Sequence, residues 1–490
     1  MSCVRRTSGG RLPIALAFAA VVALVAGVAV AQAFDPAVEA QNFSKTQERQ
    51  TIYNTAQYQA LLRQVGAQNL SEAVTMQAAD PERNFIGFHL CATGDDGCAG
   101  DVRLYDWGNK DYGIVERVLF TARSGATISG RVWATRSGPA KRPGIVITNG
   151  SVQAPERLYW FIAQTLAKAG YVVLTSDPQG QGQSDERGEA PDENEGSPAQ
   201  TDGRPFFDGT VDALNFFLST PKQAYKPRPS CETGTSHAPK QERRVLSGLN
   251  APYNPLWRLI DSRKIGLAGH SFGAAGVSFV GQKDPRVSAI VALDNLGRPG
   301  TTGGLPVKPC PADPASHADA SITKPALGMS ADYGLTPQPN TGDPDPLAKS
   351  QQSLAYTQAG VDTGELIIRG GTHYEFSFIP NPGFGGTLRG ADLVAWYTTA
   401  WFDKYVKRDS SADRRLLTAR WQNDALSAAI DPNHDGNMYS FYYPSRLDIG
   451  RAGGGRFRCE NLRAGCAGMS SNDGWTGSYS YLEVANSPDG

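Results

Sequence analysis

The sequence has no surplus of basic residues and no long basic run, because 47 Lys and Arg stand against 48 Asp and Glu. The formal net charge is −1, and a nucleic-acid partner is therefore not expected. Hydrophobic residues make up 40% of the 490 residues, so the chain can bury a large core. These values indicate a globular protein with one large domain and extensions, or with two domains.

The sequence also lacks the C-x-x-C spacing and the nearby histidine pair that would indicate a zinc site. It has seven cysteines, and an even number remains once Cys3 is set aside with the N-terminal segment. An even number is typical of disulfides in an oxidising compartment, although the count alone does not fix the pairing. Two pairs enclose short polar loops and one pair is left over, so we expect the disulfides Cys91–Cys98, Cys459–Cys466 and Cys231–Cys310.

Residues 1–33 have the pattern of an export signal. Three arginines precede an almost wholly apolar run over 12–31, and the small residues Ala31 and Ala33 fit a cleavage site before Phe34. The length of the run leaves an uncleaved membrane anchor as the alternative. We expect cleavage, and therefore a secreted, periplasmic or cell-envelope protein without stable membrane insertion.

Strand and helix patterns divide the rest of the chain into three parts. Residues 34–113 form an N-terminal extension with a helical pattern over 36–80 and the first disulfide loop. From 114 to 408, strand-like runs alternate with helical runs, which predicts an α/β fold with a doubly wound, mostly parallel sheet and helices on both faces. Residues 409–490 form a Gly- and Asn-rich extension with the last disulfide loop.

One stretch of the C-terminal extension, DPNHDGN at 431–437, has the opening spacing of a calcium-binding loop. The twelfth position is Tyr442 instead of the bidentate glutamate that such a loop needs, and no helix pair is evident. We therefore favour an Asn/Asp/Gly turn over a calcium site.

The sequence Gly269-His270-Ser271-Phe272-Gly273 lies between a predicted strand over 264–269 and a predicted helix over 272–282. In that setting the turn forces the serine into an unusual backbone conformation, and larger side chains two places away would collide. The serine oxygen then stands above the sheet, and the N–H of Phe272 at the helix N-terminus faces the same space. Ser271 is the expected nucleophile, and Phe272 is an expected oxyanion donor.

These residues resemble the α/β-hydrolase superfamily, and the resemblance spans about residues 114–408. The segments GHSFGAA, IVALD and ELIIRGGTH are most similar to the branch of platelet-activating-factor acetylhydrolases, dienelactone hydrolases and polyester hydrolases. The resemblance implies the α/β-hydrolase type of sheet and a Ser-His-Asp triad that hydrolyses carboxylic esters without a metal or other cofactor. It also implies that the backbone N–H of Ser151, in Asn149-Gly150-Ser151, is the second oxyanion donor.

His373 is the expected general base, because it follows a predicted strand near the end of the domain and so fits the order Ser, acid, His. His270 points away from the site in this family. The remaining histidines lie in polar stretches without a preceding strand: His89, His237, His317 and His434. Asp332 and Asp294 each end a predicted strand, and either could orient His373. Asp332 resembles the family's G-x-x-D-x-x-x-P segment and is preferred, whereas Asp294 has the position that the acetylhydrolase branch uses.

We therefore expect an exported serine hydrolase that forms an acyl-enzyme on a small-molecule or lipid ester. A peptidase or amidase on the same fold is the first alternative, and a non-catalytic envelope-binding protein is the second. A nucleotide-binding function is not expected, because DPQGQGQSD at 177–185 lacks the pattern of a phosphate-binding loop. Substrate choice would depend on the irregular segments 185–260, 295–322 and 374–390, and the sequence does not indicate the oligomeric state.

Overall fold

The computed structural model describes residues 34–45, 56–84, 99–151, 154–298, 309–379, 385–422 and 436–470. The expected export signal, the cysteine pair Cys91–Cys98, the histidines His89 and His434, and most of the stretch 431–437 lie outside these residues.

The described residues contain one sheet of ten strands. The strands are β1 (Gly113–Thr121), β2 (Thr127–Thr135), β3 (Arg142–Thr148), β4 (Val172–Ser176), β5 (Ile260–His270), β6 (Val287–Leu293), β7 (Ala326–Ala331), β8 (Thr363–Ile368), β9 (Arg446–Gly450) and β10 (Arg456–Cys459). Their order across the sheet is β1-β2-β4-β3-β5-β6-β7-β8-β9-β10. Strands β3 to β8 are parallel, and the pairs nearer the two edges are antiparallel. The α/β class and the mostly parallel sheet predicted from the sequence are therefore confirmed.

Helices pack on both faces of this sheet. They are α1 (Pro36–Lys45), α2 (Ala56–Ala79), α3 (Trp160–Lys168), α4 (Arg204–Phe217), α5 (Ala238–Leu246), α6 (Phe272–Lys283), α7 (Gln351–Gln358), α8 (Leu388–Phe402) and α9 (Ala412–Leu416). Ile145 and Ile147 of β3 belong to the hydrophobic core formed with α3 and α8, whereas Val146 belongs to the core formed with α4 and α6. Because successive strand residues point to opposite faces, a strand buried on both faces carries apolar residues in succession, as β3 does from Ile145 to Ile147.

The N-terminal helical pattern is present as α1 and α2. Glu72 of α2 forms ion pairs with Arg117 on β1, Arg131 on β2 and Arg157 in the turn before α3. Burial alone would raise the pKa of Glu72, but the three guanidinium groups outweigh it and lower the pKa. The second helix is thus attached to the sheet through one carboxylate that serves three cations.

Part of the C-terminal extension completes the sheet. Strand β9 pairs with β8 in antiparallel orientation, and β10 pairs with β9 and forms the outer edge. Along β10, Arg456 and Arg458 are exposed, and the residues between and after them are buried. The sequence indicates few strand–helix units in this region, because two strands of four and five residues carry too short a pattern to be recognised.

Two of the three expected disulfides are present. Cys231–Cys310 joins the segment before α5 to the segment before β7, and Cys459–Cys466 closes a short loop after β10. In the part of the chain that the structure describes, no helix is long and apolar enough to cross a membrane.

Candidate active site

Ser271 lies at the sharp turn between β5 and α6, with backbone φ 57° and ψ −121°. A positive φ costs a non-glycine residue on the order of 1–3 kcal/mol and is concentrated at functional sites. A Cβ at Gly269 would lie 2.3 Å from the carbonyl oxygen of Gly273, and a Cβ at Gly273 would lie 2.2 Å from that of Thr148. Both glycines are therefore required by the turn. The Ser271 hydroxyl does not cap α6, unlike that of an ordinary N-cap serine.

The loop after β3 approaches this turn closely. A Cβ at Gly150 would lie 3.0 Å from the Cβ of Ser271, so glycine is what permits the approach. Neither the backbone N–H of Ser151 nor that of Phe272 has a hydrogen-bond partner among the described residues. Two unpaired N–H groups beside one serine are the arrangement that can stabilise a developing oxyanion.

Asp294 and His373 form a hydrogen-bonded pair at the carboxyl ends of β6 and β8. The distance from His373 Nδ1 to Asp294 Oδ2 is 2.5 Å, and Asp294 has a positive φ of 43°. Burial would raise the pKa of Asp294, but the hydrogen bond and the charge of His373 outweigh it and lower the pKa. The carboxylate is therefore ionised and accepts from Nδ1–H. This bond leaves Nε2 of His373 as the nitrogen that can accept a proton.

Asp332 lies at the end of β7 and has other partners. Its Oδ2 accepts the backbone N–H of Gly370 at 2.6 Å and the side-chain amide of Asn42 on α1 at 3.2 Å. Burial raises the pKa of Asp332, and no bond joins it to His373 among the described residues. The structure thus brings Asp294 to His373, and the preference for Asp332 is not supported. Asp332 is instead held by the loop after β8 and by the N-terminal helix, whose Asn42 lies 290 positions away in the chain.

The structure adds Tyr159, which the sequence did not indicate, and places His270 against His373, although the resemblance implied that His270 points away from the site. His270 Nε2 lies 3.0 Å from the carbonyl oxygen of His373, and the two imidazole rings are 4.7 Å apart between centroids. The hydroxyl of Tyr159 lies 2.7 Å from His270 Nδ1 and accepts the backbone N–H of Gly150 at 3.2 Å. Both side chains are buried, and no sequence motif marks Tyr159, which lies in a short 3-10 turn before α3.

The other described histidines are each bonded to a carboxylate of their own. His237 Nε2 lies 2.9 Å from Asp192 Oδ2, and His317 Nε2 lies 3.0 Å from Asp208 Oδ1. The sequence assigned neither histidine to the site, and the structure gives each a partner elsewhere: Asp192 precedes α4, and Asp208 lies on α4.

His270, which directly precedes Ser271, is hydrogen-bonded to the backbone carbonyl of His373, so the segments that carry Ser271 and His373 are in contact. Among the described residues, no hydrogen bond joins the Ser271 hydroxyl to the His373 imidazole. Such bonds are often long before substrate binds and tighten in the complex, so the two side chains remain candidates for one proton transfer.

Comparison of the chain with models of known protein families and with curated proteins finds no match. The assignment of a function therefore depends on the geometry and chemistry of the residues themselves.

Proposed function

We propose that this chain is an exported serine hydrolase of the α/β-hydrolase type that cleaves carboxylic esters. Support comes from the position of three side chains at one edge of a mostly parallel sheet. Ser271 follows β5, Asp294 follows β6 and His373 follows β8, and reactive groups of open α/β sheets lie at the carboxyl ends of strands. The two disulfides support folding in an oxidising compartment, as after export.

The proposed reaction begins when His373 Nε2 takes the proton of Ser271 and the serine oxygen attacks the ester carbonyl carbon. Asp294 stabilises the imidazolium that forms, and the N–H groups of Phe272 and Ser151 stabilise the oxyanion. The C–O bond to the alcohol then breaks, and His373 returns its proton to the leaving oxygen. Water next attacks the acyl-enzyme with His373 again as the base, which releases the acid and restores the serine.

The observation that carries this proposal is the Asp294–His373 pair next to a serine with positive φ. A largely buried carboxylate 2.5 Å from Nδ1 fixes the imidazole in the tautomer whose Nε2 is basic. Ser271 and Asp294 both adopt positive φ although neither is glycine, and this strain falls on two members of the proposed triad.

The test is turnover of p-nitrophenyl esters of increasing acyl length by the native protein, compared with Ser271→Ala. Loss of the nucleophile should lower kcat/KM by at least about 10⁴-fold, since removal of a triad member typically has an effect of this order or larger. Ser262→Ala is a matched control, because Ser262 is exposed on the same strand and should leave turnover unchanged.

Two further reagents, an amide substrate and a covalent probe, distinguish this function from the alternatives. Ready hydrolysis of a p-nitroanilide would instead indicate an amidase or peptidase. A fluorophosphonate probe should label the native protein at Ser271, because the probe reacts with an activated serine. A native protein that neither turns over esters nor reacts with the probe would refute the proposal and favour a non-catalytic binding protein.

A further inference from the structure

We propose that Tyr159 and His270 are positioning residues that join the oxyanion loop, residues 149–151, to the backbone of His373. The inference rests on the proposed function, because it assigns these two residues to the geometry of that site. Neither residue is proposed to touch the substrate.

The direction of every hydrogen bond in this connection follows from chemistry. The His373 carbonyl can only accept, so the proton of neutral His270 must be on Nε2, which lies 3.0 Å away. Nδ1 of His270 is then an acceptor, and the Tyr159 hydroxyl 2.7 Å away must donate to it. The same hydroxyl oxygen accepts the N–H of Gly150. The three bonds form one chain that begins at Gly150 and ends at His373.

His270 remains neutral because it is buried beside another histidine. Burial, together with the neighbouring His373, lowers the pKa of His270 to about 3. Burial also raises the pKa of Tyr159 well above its usual range, so the phenol keeps its proton. Neither group changes its charge at the pH values where His373 would work as a base, and the polarity of the chain is therefore constant.

The connection acts on both halves of the proposed site. At one end, Tyr159 takes the N–H of Gly150, and the next N–H along the chain, that of Ser151, has no partner among the described residues. At the other end, His270 holds the carbonyl of His373, whose imidazole is bonded to Asp294. Because His270 directly precedes Ser271, its side chain links the segment of the nucleophile to the base His373 and, through Tyr159, to the oxyanion loop.

The central test is Tyr159→Phe, which removes one oxygen and keeps the ring. We expect kcat for a p-nitrophenyl ester to fall by about tenfold or more with KM changed less than about twofold, because misplacing catalytic groups by about 1 Å can cost on the order of 100-fold. Tyr171→Phe is the matched control. Tyr171 is equally buried, and its hydroxyl bonds Asp403 at 2.7 Å. It should lower Tm and leave kcat unchanged.

A second comparison uses His270→Gln and His270→Ala. Glutamine can still donate an N–H toward the His373 carbonyl, whereas alanine cannot. We therefore expect the glutamine variant to retain a larger share of kcat than the alanine variant and the two variants to have similar Tm values. Loss of kcat in proportion to the loss of folded protein in all variants would overturn the proposal in favour of a purely structural role.

Amide hydrogen exchange gives a readout that does not need activity. Tyr159→Phe should speed exchange at residues 149–151 and 373–374, while Tyr171→Phe should not. Unchanged exchange at both segments, or kcat within about twofold of the native value, would refute the inference even if the native protein is an esterase. A native protein without ester turnover would refute the proposed function, and the exchange result would still decide whether the connection exists.

Discussion

Replacement of Asp294 by asparagine is the sharpest test of which acid serves the proposed triad. The carboxylate accepts from His373 Nδ1 at 2.5 Å, whereas an asparagine could present its NH₂ group there and favour the wrong imidazole tautomer. The equivalent change in a serine protease with a Ser-His-Asp triad lowers kcat by on the order of 10⁴-fold, which corresponds to about 5 kcal/mol at about 1.4 kcal/mol per factor of ten. The overall fold should persist, because Asn and Asp have nearly the same shape.

Asp332→Asn is the matched control for this prediction. Gly370 N–H and the Asn42 amide both donate to Oδ2, so the oxygen of the asparagine amide could accept both bonds, while its NH₂ would bring a buried donor to the position of Oδ1. We expect a loss of about 1 kcal/mol in the free energy of unfolding, as for one disturbed hydrogen bond, with kcat/KM within about threefold of native. The assay is p-nitrophenyl ester turnover well below Tm, with urea unfolding of each variant.

The outcome that contradicts this reasoning is a reversed or equal pattern. If Asp332→Asn removes turnover and Asp294→Asn does not, then the acid is Asp332 and the structure's pairing does not describe the working enzyme. Equal and mild losses in both variants would mean that neither carboxylate orients His373.

Two further predictions concern buried charge. Glu365, which bonds Ser330 and lies near Asp294, has its pKa raised to about 8, chiefly by burial. Because the unfolded chain gives up this proton near the ordinary value while the folded chain keeps it, this group lowers stability as pH rises from about 4.5 to 8. Glu365→Gln should therefore raise Tm more at pH 8 than at pH 5, and an equal change at both pH values would contradict the assignment. Glu72→Gln should lower the free energy of unfolding in urea by about 2 kcal/mol and leave kcat unchanged, because Glu72 is partly buried and pairs with three arginines. Glu116→Gln, at an exposed site, is the control. A similar loss of unfolding free energy in that variant would contradict the reasoning.

The sequence predicted the parts of the fold that depend on local pattern. The run from Ile145 to Ile147 is apolar on both faces, and the structure buries both faces as expected for a central parallel strand. The motif alone predicted that side chains at Gly269 and Gly273 would collide with the backbone, and the structure shows those close backbone contacts. Both observations need only neighbours in the chain, which is why one sequence sufficed.

The parts that were not predicted depend on distant contacts. Asp332 and Asp294 have the same local signature, a carboxylate at the end of an apolar strand, and what distinguishes them is their distant partners, Asn42 and Gly370 for Asp332 and His373 for Asp294. Tyr159 and His270 are 111 positions apart, so no spacing relates them. Strands β9 and β10 are too short to show a pattern of their own, and β9 becomes a strand by pairing with β8 while β10 does so by pairing with β9.

The exposed arginines of β10 have a consequence for how the chain behaves in concentrated solution. An outermost strand offers unpaired backbone groups to any second chain, and natural proteins limit such self-association with charged side chains. If β10 of a second copy paired with β10 of the first, Arg456 and Arg458 of one copy would lie close to the same arginines of the other. Like charges that face each other across paired strands are unfavourable. We therefore expect these two side chains to disfavour self-association at this edge of the described sheet.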